Sequence, residues 1–220
     1  MTELRRPVPL DPVRHRRELF DSGEPALDEW LRRYAGQKRR RDTAATWVIT
    51  DADDVVVAYA SVAMTGIDRS AARTTLTKAA PDPIPALLLG RLAVDHRYAN
   101  LGVGTALTAH VLATAIELNT KAACRAVVVT ALHPKARAWW HRLGFHPFHP
   151  DNPDELDLYL LTSEIGTTLE KARQRKPPGT ACRAKHVSRL RARDTSAVTR
   201  AGLAPLALVG ARSLLTSCVP

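Results

Sequence analysis

Residues 87–112 read LLLGRLAVDHRYANLGVGTALTAHVL, and this stretch decides the fold. Its opening, LLLGRLAV (87–94), is an almost unbroken apolar run of the kind a strand buried on both faces carries. From 102 to 118 the apolar positions Val103, Leu107, Val111 and Leu118 fall on one side of a helix. Between strand and helix lies a turn that puts Gly102 and Gly104 in the first helical turn. A strand, a glycine-containing turn and a helix make an anion-binding arrangement. The first N–H groups of a helix have no intrahelical partner, and the helix dipole favours negative charge there. The glycines allow a pyrophosphate to approach the backbone closely.

Working outward toward the C-terminus, AVVVTAL (126–132) is a second buried strand and KARAWWHRL (135–143) a short helix that ends at Gly144, a residue suited to the position just past a helix. FHPF and LDLYLL (156–161) supply the last strands. Toward the N-terminus, a loop with Pro81, Pro83 and Pro85 precedes the decisive strand. Before it, TWVIT (46–50) and VVVAYASVAM (55–64) form a hairpin across the acidic turn Asp51–Asp54. FDSGEPALDEWLRRYAGQKRRR reads as one helix opened by Pro25, with Leu27, Trp30, Leu31 and Tyr34 as its apolar stripe. That helix finishes in the basic run Lys38, Arg39, Arg40, Arg41. Pro7, Pro9 and Pro12 keep residues 1–20 extended. The order predicts an α/β fold, a mixed central sheet flanked by helices.

The chain has 220 residues, of which 45% are hydrophobic and 25% charged, enough for one well-buried domain. Its best apolar run near the C-terminus, LAPLALVGARSLL, is broken by Gly210 and Arg212 and falls short of the roughly 18–20 residues that cross a bilayer. The start, MTELRRPVPLDP, lacks the apolar stretch of a signal peptide. Cys124, Cys182 and Cys218 are too scattered for a disulfide framework or a metal site and read as free thiols in a reducing cytoplasm. The net charge of +10 is not spread evenly. Residues 1–170 hold 21 Lys and Arg against 21 Asp and Glu, while the last fifty hold 11 basic residues and one acid, Asp194. The pI therefore says little about the folded part. Residues 1–168 are expected to be the domain and 169–220 a basic, disordered tail without helical or strand period. A nucleic-acid-binding tail and an unselected extension, as from a shifted reading frame, both remain open.

RLAVDHRYANLGVGTALTAHVL followed by AVVVTALHPKARAWWHRLGF resembles the acetyl-CoA-binding core of the GNAT acetyltransferases. The segment from Phe20 to Met64 resembles the GNAT toxins of bacterial toxin–antitoxin pairs, which acetylate the α-amine of aminoacyl-tRNA. Phe20, Gly23, Leu27, Trp30, Leu31, Ala35 and Gln37 match that group's N-terminal element, and the resemblance runs through residues 5–165. It implies the GNAT acyl-CoA N-acyltransferase fold, acetyl-CoA as cosubstrate and no metal. It assigns the backbone of Leu92, Ala93 and Val94 to the pantetheine arm beside a splayed strand, and Leu101, Gly102, Val103, Gly104 and Thr105 to the pyrophosphate. Lys38, Arg39, Arg40 and Arg41, with Arg91 and Arg97, become candidates for tRNA phosphates. A small ribbon-helix-helix antitoxin, a homodimer, DNA contact only through the antitoxin complex, and a cytoplasmic site of action without membrane contact are implied with it.

Two departures bear on chemistry. Where the family has a Q-G-x-G-x-G turn, this chain has Ala99, Asn100 and Leu101, so a side-chain contact to the cofactor is missing while the backbone cradle survives. Where the family has Phe-Tyr-x-x-x-Gly-Phe, with a tyrosine that protonates the departing thiolate, this chain has Trp139 and Trp140. An indole N–H donates a hydrogen bond but gives up no proton near neutral pH. His133 and His141 are the nearby titratable replacements, and ordinary surface histidines otherwise. The expected function is acetyl transfer to charged tRNA by a toxin that blocks translation. The alternatives are a weakened relic that binds only acetyl-CoA or a partner, and a GNAT enzyme acting on a small amine or a protein N-terminus.

Overall fold

In the computed structural model, which describes residues 3–71 and 74–174, seven strands form one sheet. They are β1 (Val8–Pro9), β2 (Ala45–Thr50), β3 (Val56–Ile67), β4 (Ile84–Val94), β5 (Ala126–Thr130), β6 (His146–Pro147) and β7 (Asp157–Leu161). Their order across the sheet is β1-β2-β3-β4-β5-β7-β6. Only β4 and β5 run parallel; every other neighbour pair is antiparallel. The parallel pair is where a crossover helix is needed, and α3 (Val103–Lys121) supplies it. The sheet is mixed and flanked by helices, as the element order predicts.

Sheet alternation sorts the core. Val57, Ala58, Ala60, Leu87, Leu89, Val127 and Val129 join Val103, Leu107, Val111 and Leu112 of α3 in the main cluster. Leu118, the last position of the predicted stripe, packs against it from a partly buried site. The opposite sheet face carries two further clusters. One is built on Ala86, Val128 and Tyr159, the other on Leu10, Phe20, Trp30, Leu31 and Tyr59.

Several boundaries differ from the sequence reading. The first helix is not uniform: α1 (Pro25–Glu29) and α2 (Ala35–Arg40) flank a π-helical segment, Trp30–Tyr34. Wider turns there rotate the stripe, so Trp30 and Leu31 are buried while Tyr34 is 44% exposed. The decisive strand begins at Ile84, three residues early, because pairing with β3 starts at Ile67↔Ile84. β5 stops at Thr130 and β6 shrinks to His146–Pro147. The lead-in is extended as expected, and part of it pairs with β2 as β1. The short helix α4 (Pro134–Arg142) is followed by Gly144 at φ +90°, the left-handed conformation expected past a helix end. A last helix, α5 (Ile165–Gln174), crosses residue 168. The rest of the expected tail lies outside the described residues, as do Cys182 and Cys218. No helix among the described residues is long and apolar enough to cross a membrane.

Candidate active site

β4 and β5 pair only as far as Leu88↔Val128. Beyond that point β5 continues beside β7, through Val129↔Leu158 and Thr130↔Asp157. β4 continues beside β3, past a bulge at Gly90, with Ser61↔Arg91, Ala60↔Leu92, Tyr59↔Ala93 and Ala58↔Val94 in register. The two parallel strands therefore part, and no described strand pairs with Leu92, Ala93 and Val94 on the β5 side. The parting leaves backbone N–H and C=O groups on that side of Leu92–Val94 open to an extended ligand.

The opening leads to the N-terminus of α3. Asn100 at φ +62° and Gly102 at φ +80° turn the chain into the helix. No side chain caps the helix, and its first internal bond runs from Ala106 N–H to the Gly102 carbonyl at 2.9 Å. The first-turn N–H groups around Val103, Gly104 and Thr105 thus face outward without a cap, as an anion cradle requires. The two glycines serve different ends. Gly102 is needed for its left-handed backbone. A Cβ on Gly104 would lie 3.2 Å from Val94 Cγ2, so this glycine seats the helix on β4. Leu101 is 69% exposed.

Asp95, directly after β4, is fully buried and ties this turn to the N-terminal segment. Its carboxylate accepts from Arg97 N, from Arg97 Nε at 2.8 Å and Nη2 at 2.7 Å, and from Asp21 N at 3.2 Å. His96 N donates to the Asp21 carbonyl at 2.8 Å. Burial would raise the Asp95 pKa, but the Arg97 guanidinium and the two backbone N–H groups outweigh it and hold the carboxyl below the usual range. The Phe-Asp-Ser-Gly segment is fixed in turn by Asp28, whose Oδ1 accepts from Ser22 N at 3.0 Å and Ser22 Oγ at 2.6 Å. Asp95 and Asp28 were not singled out in the sequence. An acid at the end of an apolar strand and another in a buried first turn were the available signals.

The six basic candidates divide. Lys38, Arg39 and Arg40 are exposed in the last turn of α2, and Arg41 is exposed just past it. None forms an ion pair with a described carboxylate. Arg91 lies over the Trp30 ring with its guanidinium carbon 4.6 Å from the centroid, on the sheet face opposite α3. Arg97 is committed to Asp95 and to the Leu19 carbonyl, so the structure gives it a clamping job that competes with binding phosphate.

The expected acid end is built from packing. Trp140 is 6% exposed, edge-on to Trp139 at 4.6 Å and to Phe145 at 5.0 Å. Its ring belongs to the main core cluster. His133 caps α4, its Nδ1 accepting from Ala136 N at 3.0 Å. His141 Nδ1, in the last turn, lies 2.9 Å from the Phe145 carbonyl at the other end of the helix. Both are exposed and both have local structural partners. Tyr59 offers no replacement phenol: its hydroxyl donates to the Leu27 carbonyl at 2.8 Å, and burial pushes its pKa further up.

Comparison with known proteins agrees with this geometry. The model of the acetyltransferase (GNAT) family matches residues 12–145. A tRNA-acetylating toxin of Mycobacterium tuberculosis (strain ATCC 25618 / H37Rv) is 32% identical over 145 residues, 66% of this chain and 85% of that protein. Among solved structures, AtaT complexed with acetyl-methionyl-tRNAfMet aligns at a TM-score of 0.68 and 24% identity, over 76% of this chain and 99% of its own. A tyrosine-to-phenylalanine variant of the AtaT toxin, bound to the C-terminus of the antitoxin AtaR and to acetyl-CoA, aligns at 0.63 and 24% identity over 76% and 98%.

Proposed function

The chain belongs to the GNAT family of acetyltransferases, and on that premise we propose that it moves the acetyl group of acetyl-CoA to the α-amine of an aminoacyl-tRNA. It is an N-acetyltransferase and acetyl-CoA is its cosubstrate. The observation that carries the reading is the opening between β4 and β5 onto the uncapped start of α3. Leu92 to Val94 would hold the pantetheine arm by backbone bonds, and Leu101 to Thr105 the pyrophosphate. The relative that acetylates tRNA supports a charged tRNA as acceptor. So does the exposed run Lys38 to Arg41, which suits phosphate contacts.

The reaction asks little of a base. An α-amine has a pKa of about 7.7–8.0, so a useful fraction is neutral at pH 7. Its nitrogen bonds the thioester carbon, the C–S bond breaks with its electron pair on sulfur, and the amine proton passes to water. The thiol, with a pKa of about 8.5 by analogy with cysteine, leaves tolerably as a thiolate. With Trp140 packed in the core, no acid at that position speeds its departure. A positioned general acid is typically worth roughly 10²–10⁴ in rate, so a slow enzyme is expected.

The same reading makes the protein the toxin of a cytoplasmic toxin–antitoxin pair. It would block translation, pair as a homodimer, be neutralised by a small ribbon-helix-helix antitoxin, and reach DNA only through that complex. Purified protein, labelled acetyl-CoA and a pool of charged tRNAs test it directly. Label is expected on the aminoacyl group. Acetyl-CoA binding without transfer to any charged tRNA would leave the relic, and transfer confined to free amines would select the small-amine alternative.

A further inference from the structure

The acceptor has to reach the opening from a definite side. α3 covers the sheet face carrying Leu87, Leu89, Val127 and Val129, so a cofactor held at the start of α3 enters along that face. The amine must come from the other. On that other face the residues change character where the strands part. Leu88, Val128 and Tyr159 form an apolar row. The next row is Gly90, Thr130 and Asp157. Thr130 and Asp157 are register partners, and Thr130 Oγ1 donates to Asp157 Oδ1 at 2.6 Å. Gly90, the bulged residue of β4, lies just past the last β4–β5 pair, Leu88↔Val128, and so borders the gap on the side facing the Thr130 end of β5.

Two features make this row a receptor for a small charged group. Gly90 leaves space, since a Cβ there would meet nothing nearer than 3.9 Å, and its nearest neighbour would be the Leu88 side chain on the same face. Asp157 is half-buried and anchored: its N–H donates to Glu155 Oε1 at 3.0 Å, and Thr130 occupies one carboxylate oxygen while Oδ2 accepts from no described residue.

We propose that Asp157, oriented by Thr130, binds the acceptor's primary ammonium group in the gap left by Gly90. The inference rests on the reading of the β4–β5 opening as the transfer site. At neutral pH an α-amine is mostly protonated. A carboxylate at the mouth of the opening therefore concentrates the right end of the acceptor, and a charge-assisted bond fixes its direction. The ammonium then loses a proton to water before attack, so Asp157 acts in binding.

Steady-state kinetics on Asp157→Asn tests this with two acceptors, charged tRNA and an amino-acid amide. The amide side chain keeps the Thr130 bond and removes only the charge. Loss of one bond to a charged group should raise the acceptor KM by about tenfold or more, with the acetyl-CoA KM and the melting temperature unchanged. Asp157→Glu should restore part of the loss. Hydroxyacyl-tRNA, in which a hydroxyl replaces the amine, should compete less well than aminoacyl-tRNA against the wild type, and Asp157→Asn should erase that difference. Acceptor KM values unchanged for both acceptors, or a preference for the amine that survives the substitution, would overturn the proposal. Transfer to the amide and not to charged tRNA would overturn the tRNA reading instead, and the Asp157 effect would then be read on the amide.

Discussion

The start of α3 and the helix α4 are built on different physics. At α3 the working groups belong to the backbone: a left-handed Gly102, an uncapped first turn and an unpaired strand side from Leu92 to Val94. At α4 everything is side chain: a histidine cap, an indole pair and Phe145 packed into the core. Backbone function tolerates substitution, so Ala99 where the family's pattern opens with Gln leaves the backbone of the turn in place. Side-chain function is lost in one step, and on the reading proposed above Trp140 is that step. On that reading the chain holds its cofactor in the ordinary way while lacking the usual acid.

Trp140→Ala should break the α4 side of the comparison with the largest effect. Removing a buried indole typically costs about 3–5 kcal/mol, and in a domain of this size each kcal/mol moves the melting point by roughly 2–4 °C. A thermal melt should therefore fall by roughly 6–20 °C. If the melt barely moves, Trp140 is not the packing residue its burial indicates, and a role at the site must be reconsidered.

Asp95→Asn probes the base of the cradle and should cost less. Breaking a buried ion pair costs about 3–5 kcal/mol, but the Arg97 side chain is 48% exposed, and solvent screening reduces this to about 1–2 kcal/mol. The effect should depend on pH in a definite sense. The folded pKa of Asp95 is lowered, so its contribution is complete above the unfolded value of about 3.9 and is lost as pH falls through the lower folded value. Denaturant titrations at pH 7 and near pH 3 should show the gap between wild type and variant closing on acidification. A gap that holds constant would mean that the charge of Asp95 does not matter.

How far the sequence reached depends on the range of the interaction. Gly102, Gly144 and the stripe Val103–Leu107–Val111 announce themselves locally, and the fold, cofactor turn and helix end follow from them. The π segment was not legible, because spacing at Leu27, Trp30, Leu31 and Tyr34 fits a regular helix equally well. What selects the wider turn is packing of Trp30 on Tyr59, ring centroids 5.6 Å apart, and on Arg91. Arg97 looked like a phosphate ligand because its partner's burial is a tertiary fact. The Thr130–Asp157 pair, 27 residues apart, exists only through β5–β7 register. Gly104 was legible as a glycine of the turn, but its seat on Val94 was not.

Trp140→Phe should have the smallest effect, and it is the most discriminating. Phenylalanine keeps an apolar ring against Phe145 and Trp139, so the core should survive with a modest loss of stability. Neither ring donates a proton, so if the thiolate leaves unassisted, kcat for acetyl transfer should stay within about threefold of the wild type. A general acid at this position would instead show itself as a fall of roughly 10²–10⁴. A drop of that size with acetyl-CoA affinity unchanged would mean that the indole N–H stabilises the leaving sulfur by a hydrogen bond. The α4 end would then be working machinery after all, and the contrast with α3 would narrow to the kind of group employed.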